Sequence, residues 1–152
     1  MNTQSIELIE LLSADSGSAP PAASVIVLHG LGADGQDFVP VVQAMDLSAV
    51  GPVRFLLPSA PERPVTINGG YRMRAWYDIY PAPGDPTRPR LEDEPGLLAS
   101  RALVQQLIDR EVERGVESSR IVLMGFSQGC AMTLLAGLLA PAPLAGDRKS
   151  TR

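Results

Sequence analysis

The sequence predicts an α/β fold, a mostly parallel sheet with helices on both of its faces. Three observations predict it. Short, apolar, β-branched runs at 23–28, 53–57 and 120–124 have the composition of strands buried on both sides. Residues 95–114 carry apolar side chains at helical spacing. Strand and helix signals also alternate along the chain, the order that feeds a parallel sheet.

Taken in order, Ser5–Leu12 begins with alternating Ile6 and Leu8 and predicts a short outer strand. Residues 13–22 are Ser, Ala, Gly and Pro and predict a loop. Ala23–Leu28 is the first buried strand, ending at His29-Gly30. The next residues are glycine-rich, after which Asp37 is expected to cap a short helix over 38–46 that tolerates Pro40 in its first turn. Val53–Leu57 is a second buried strand, expected to stop at Pro58. Residues 58–95 are rich in Pro and Gly and predict a long irregular segment, a length usually tied to function. Glu92, Asp93 and Glu94 place negative charge at a helix start, where the macrodipole favours it. Leu97, Val104, Leu107, Ile108 and Val112 form the stripe of that helix, and Gly115 ends it. Arg120–Met124 is the third buried strand, and 128–139 is a mostly apolar helix stopped before Pro141.

The 152 residues make one domain. Thirteen basic residues against seventeen acidic ones exclude the basic face of a general nucleic-acid binder. Cys130 is the only cysteine and His29 the only histidine, so no internal disulfide forms and no Cys/His metal set exists. Cys130 reads as a small buried hydrophobe. The N-terminus lacks the early positive charge of a signal peptide. Residues 121–146 carry no charge, but Gly125–Gly129 and two prolines break the run, so a strand, a turn and a helix are expected there and not a membrane span. A soluble cytoplasmic protein is the expectation. Residues 147–152 are wholly polar and contain Lys149, the one lysine of a chain that otherwise uses twelve arginines. This change of composition at 146/147 suggests a frameshift, a truncation or a cloning scar, with a solvated tail as the alternative.

Two segments carry chemistry. Gly125-Phe126-Ser127-Gln128-Gly129 fits Gly-x-Ser-x-Gly between a strand and a helix. There the turn exposes the serine oxygen at a helix N-terminus. His29-Gly30-Leu31-Gly32 follows an earlier strand, and its glycines allow close backbone approach to a reacting carbonyl. Together they nominate Ser127 as nucleophile and the N–H groups of Leu31 and Gln128 as oxyanion donors. Arg72 and Arg74 suit a solvated loop or an anionic substrate, and Glu92–Glu94 a helix start or a metal.

In this order, His29–Gly35, Leu57-Pro58-Ser59-Ala60-Pro61 with Arg63–Thr66, Trp76-Tyr77-Asp78-Ile79 and Gly125–Gly129 resemble the phospholipase/carboxylesterase family of α/β-hydrolases, which includes the acyl-protein thioesterases. The likeness runs from about residue 5 to 145. It implies an α/β-hydrolase domain over 1–146, incomplete at its C-terminus, and hydrolysis of carboxylic esters through an acyl-enzyme without metal or cofactor. Small-molecule esters or thioesters are the implied substrates. The resemblance also implies Trp76 beside the acyl pocket, with His29 and Gly30 supporting the oxyanion loop. The chain departs from the family where the order Ser…Asp…His requires an acid and a histidine after the serine, because the residues after Ser127 contain no histidine. An inactive chain follows as an expectation, with a non-catalytic remnant or binding module as the rival reading. A thioesterase or lysophospholipase shares every motif. A sheet edge left open also predicts self-association.

Overall fold

The computed structural model describes residues 6–13 and 20–145. The polar tail at 147–152 and most of the Ser/Ala/Pro loop lie outside the described residues. The strands are β1 (Glu7–Leu12), β2 (Ala23–Leu28), β3 (Val53–Ser59), β4 (Glu62–Val65), β5 (Tyr71–Arg74) and β6 (Ile121–Gly125), and the α-helices are α1 (Val39–Gln43), α2 (Glu94–Glu113) and α3 (Gln128–Leu138). The main sheet has the order β1-β3-β2-β6; β1 runs antiparallel to β3, and β3, β2 and β6 are mutually parallel.

The period-2 alternation of the strands feeds two cores. Ile26, Leu28 and Leu56 point to the face covered by α2 and α3, where they meet Val104, Leu107, Ile108 and Met132. Val27, Phe55 and Leu57 point the other way and meet Val42 of α1. Both faces of the sheet are therefore covered, which is why β2 and β3 read as continuous apolar runs.

Several local expectations are corrected. β3 runs through Pro58 to Ser59. Its ladder with β2 stops at Leu56, so Pro58 has one strand neighbour, β1, as a proline on an edge strand does. Asp37 is not the cap. Asp34 caps a 3₁₀ turn over Gly35–Phe38 by accepting from Gln36 N at 2.8 Å, and Asp37 reaches back to Asp34 N at 3.0 Å. Two acids three residues apart thus form a reciprocal capping box, and the helix that follows spans only Val39–Gln43. Within the segment expected to be irregular, β4 and β5 form an antiparallel hairpin. Its turn uses Gly69 and Gly70 at φ of 66° and 80°.

α2 begins where the acidic cluster placed it. Asp93 is the N-cap, its carboxylate accepting from Gly96 N at 3.0 Å. The buried stripe differs from the apolar one: Val112 is exposed, and the buried position beside it belongs to Glu111. Glu111 is fully buried because it is paired, to Arg54 Nη1 at 2.9 Å, to Arg114 Nη1 at 2.9 Å and to the Ser24 hydroxyl. Cys130, expected to be buried, is exposed. The inward face of α3 is formed by Gln128, Gly129, Met132 and Ala136, which turns residue 130 outward.

Candidate active site

β2 and β6 are parallel neighbours with Leu28 opposite Gly125, so the loops that leave them emerge side by side. Phe126 N–H donates to Leu28 O at 3.1 Å and extends this alignment to the residue before Ser127. Ser127 then takes φ 53°, ψ −117° and is the only non-glycine residue with positive φ among the described residues. A strained conformation at this turn turns the serine outward, and Ser127 is exposed. The flanking glycines are required by contact. A Cβ on Gly129 would be driven into the Leu28 carbonyl, and one on Gly125 into the Gly129 carbonyl.

The second loop abuts the first. A Cβ placed on Gly30 would lie 3.4 Å from Ser127 Cβ and 3.3 Å from Phe126 Cδ1. Gly32, at φ 75°, donates its N–H to Arg74 O at 2.9 Å, which moors the loop to β5. Among the described residues, the N–H groups of Leu31 and Gln128 donate to no other group. Two unspent backbone donors thus belong to the two adjoining loops, and Ser127 is exposed at the N-terminus of α3, where the helix dipole favours negative charge.

His29 is buried and occupied at both ring nitrogens. Nε2 accepts from Ala60 N–H at 2.8 Å, so the proton is carried by Nδ1, which donates to Gly30 O at 2.7 Å. Burial pushes its pKa below the ordinary 6.5, against the opposing pull of the Gly30 carbonyl and of Asp34 and Asp37; Arg74 acts in the same sense as burial. The imidazole is therefore neutral at pH 7. It is bonded away from Ser127 and holds the loop.

Trp76, expected beside an acyl pocket, is fully buried and offers no surface to a ligand. Its indole stacks at a tilt on His29 with ring centroids 5.1 Å apart, and Nε1–H donates to His29 O at 2.9 Å. Arg72 and Arg74, weighed as contacts for an anion, are engaged within the fold: Arg72 donates to Glu62 O, and Arg74 to Ala60 O and to Glu7.

Sequence reasoning missed three supports. The side-chain amide of Gln128 accepts from Trp76 N–H at 2.8 Å and donates to Tyr77 O at 2.9 Å. Ser59 Oγ accepts from Gly35 N–H at 3.1 Å. Asp93 also accepts from Asp78 N–H at 2.7 Å, tying the Trp76–Ile79 segment to the start of α2. The Leu57–Pro61 and Trp76–Ile79 motifs marked two of these places, but no periodicity reveals the partner of a backbone N–H.

The chain matches the model of the Phospholipase/Carboxylesterase family over residues 11–147. It is 45% identical over 129 residues to acyl-protein thioesterase 1 of Schizosaccharomyces pombe, a match covering 85% of this chain and 55% of that protein. Among solved structures it is similar to Arabidopsis thaliana SOBER1, with 35% identity and a TM-score of 0.70 over 81% of this chain and 58% of the other. It is also similar to Zea mays acyl-protein thioesterase 2, with 26% identity and a TM-score of 0.67 over 86% and 50%. The chain spans about half the length of the curated relatives it matches.

Proposed function

Because the chain belongs to the Phospholipase/Carboxylesterase family of α/β-hydrolases, we propose that Ser127 is an acyl-accepting nucleophile and that the N–H groups of Leu31 and Gln128 hold the oxyanion. The observation that supports this best is the exposed, strained Ser127 lying against Gly30 of the neighbouring loop. In the proposed reaction Ser127 Oγ bonds to the carbonyl carbon of a carboxylic ester. The carbonyl oxygen takes up negative charge between the two N–H groups, the alcohol leaves, and water releases the acid. These steps are acyl transfers between protein, substrate and water and call for no cofactor.

The serine proton needs an acceptor. His29 is the only imidazole in the 152 residues, and both of its nitrogens are engaged in holding the loop. We therefore propose that this chain by itself turns over slowly, at the roughly 10³–10⁴-fold enhancement left by oxyanion donors and binding when triad members are missing, or below it. The names of the relatives, acyl-protein thioesterases, favour a thioester as the second substrate class. The test is acylation of the chain by p-nitrophenyl esters and by an acyl thioester, followed by intact mass. A stoichiometric acyl adduct lost in Ser127→Ala supports the reading. An adduct elsewhere, or none with the fold intact, overturns it.

Outside this site, β6 is the edge of the main sheet among the described residues, beside exposed Val122, Leu134 and Leu138. A groove of about 220 Å³ runs between β6 and α3 there, away from Ser127. An unpaired edge flanked by apolar side chains supports self-association of this chain. No helix among the described residues is long and apolar enough to cross a membrane, and a cytoplasmic location is proposed.

A further inference from the structure

The two proposed oxyanion donors sit on different loops, after β2 and after β6, and their separation must be set by something that touches both. One buried residue does. The Trp76 indole N–H donates to His29 O at 2.9 Å, two residues before the Leu31 N–H. The Trp76 backbone N–H reaches the other loop, donating to Gln128 Oε1 at 2.8 Å. The same Gln128 amide donates to Tyr77 O at 2.9 Å, so the side chain is held from both ends while its own backbone N–H meets no acceptor among the described residues. Trp76 is itself fixed from a third direction: Ser100 of α2 donates its hydroxyl to Trp76 O. Trp76, His29 and Ser100 have no exposed surface, and Gln128 is nearly buried. In such surroundings each of these bonds is costly to leave unmade, so the arrangement has little freedom to drift.

We infer that Trp76 is a positioning residue which, through its indole N–H and its backbone N–H, fixes the distance between the Leu31 and Gln128 oxyanion donors. The inference rests on the acyl-transfer reading of the site. A merely structural tryptophan would fill volume. A positioning one also sets how strongly the site stabilises an oxyanion, and Trp76→Phe separates the two roles because it keeps the ring and removes the Nε1–H bond to His29 O.

An alkyl trifluoromethyl ketone provides the readout. Ser127 Oγ bonds to the ketone carbon, the carbonyl π pair moves to oxygen, and the serine proton passes to solvent, leaving a hemiketal oxyanion. The adduct is reached at equilibrium, so its stability does not depend on a general base. Its ionisation, followed by ¹⁹F NMR against pH in the full 152-residue chain, reports the donors directly. The parent is expected to give a signal abolished by Ser127→Ala. In Trp76→Phe the hemiketal should ionise at least about tenfold less readily, short of the roughly 10²–10³-fold effect of deleting a donor outright. Gln128→Met, which cuts the other arm and leaves the indole bond, should shift ionisation in the same direction. This keeps the test decisive if Trp76→Phe fails to fold by circular dichroism. A parent adduct at Ser127 with unchanged ionisation in the folded variants overturns the inference while leaving the proposed function standing. Absence of a Ser127 adduct in the parent overturns both.

Discussion

Lowering the pH below 6.5 should destabilise this chain through one residue, His29. In the folded protein Ala60 N–H points at Nε2 at 2.8 Å, so a proton added there would face another N–H and break that bond. Burial adds to this and holds the pKa below 6.5. In the unfolded chain the imidazole titrates at its ordinary value near 6.5. Below that value the unfolded state therefore binds the proton and the folded state does not. The stability that His29 confers is fully present above pH 6.5 and is lost as pH falls toward the depressed folded value. The slope approaches about 1.4 kcal/mol per pH unit, the free-energy equivalent of one proton. Urea unfolding at steps between about pH 5 and 7.5 isolates this effect, because most carboxylates titrate lower. The single histidine makes the NMR reading unambiguous. ¹⁵N shifts should show a protonated Nδ1 and a bare Nε2 at pH 7. A His29 midpoint at or above 6.5 in the native state, or an Nε2–H tautomer, would refute the reasoning and reopen His29 as the base for Ser127.

Three further outcomes are expected. Glu111→Gln should cost about 3–5 kcal/mol in urea unfolding, because it leaves Arg54, itself 11% exposed, without its buried partner. Arg54→Met with Glu111→Leu should cost less than that single change, and equal costs would count against the pairing argument. Ser127→Gly should raise the unfolding free energy by about 1 kcal/mol net of glycine's entropy, read from urea unfolding, by removing the strain of φ 53°, whereas Ser127→Ala keeps the strain and should not. Leu138→Lys, at a side chain 77% exposed, should shift sedimentation toward monomer; a parent already monomeric at high concentration would sink the self-association proposal.

What could be read from the sequence was whatever repeats with a backbone period or demands a special residue type. β2 and β3 were visible because both faces of the sheet are covered there and most of their side chains are apolar, and β6 because its short run is apolar and β-branched. The serine turn was visible because Gly125 and Gly129 touch carbonyls that no Cβ could clear. The β4–β5 hairpin was not. Its strands are four residues each and carry Arg63, Arg72 and Arg74, which blur the alternation, and only the Gly69-Gly70 turn hinted at it. Glu111 was missed because a carboxylate on an apolar stripe looks like an interruption until its partners, fifty-seven and eighty-seven residues away in sequence, are known. Trp76 stood out in the sequence, but its burial and its bonds to His29 O and Gln128 Oε1 did not, since an indole reads the same whether it lines a pocket or packs inside.

The position of Trp76 leads back to α2. Gly96, Ser100, Val104, Leu107, Ile108 and Glu111 form its buried stripe, at steps of three and four residues. The middle of that stripe is apolar and packs on Ile26, Leu28 and Leu56. Its polar members lie toward the two ends and make specific bonds. Near the C-terminus Glu111 joins Arg54 of β3 and Ser24 of β2, which sets the helix against the sheet. Near the N-terminus Ser100 holds the Trp76 carbonyl, while the Asp93 cap accepts from Asp78 N–H. Helical periodicity thus carries one rigid body from the sheet core to the segment that bonds to both His29 and Gln128. A cavity at Val104 or Leu107 would let α2 shift relative to β2, and the shift would reach the proposed donors through Ser100 and Trp76 without any change in the loops that bear them.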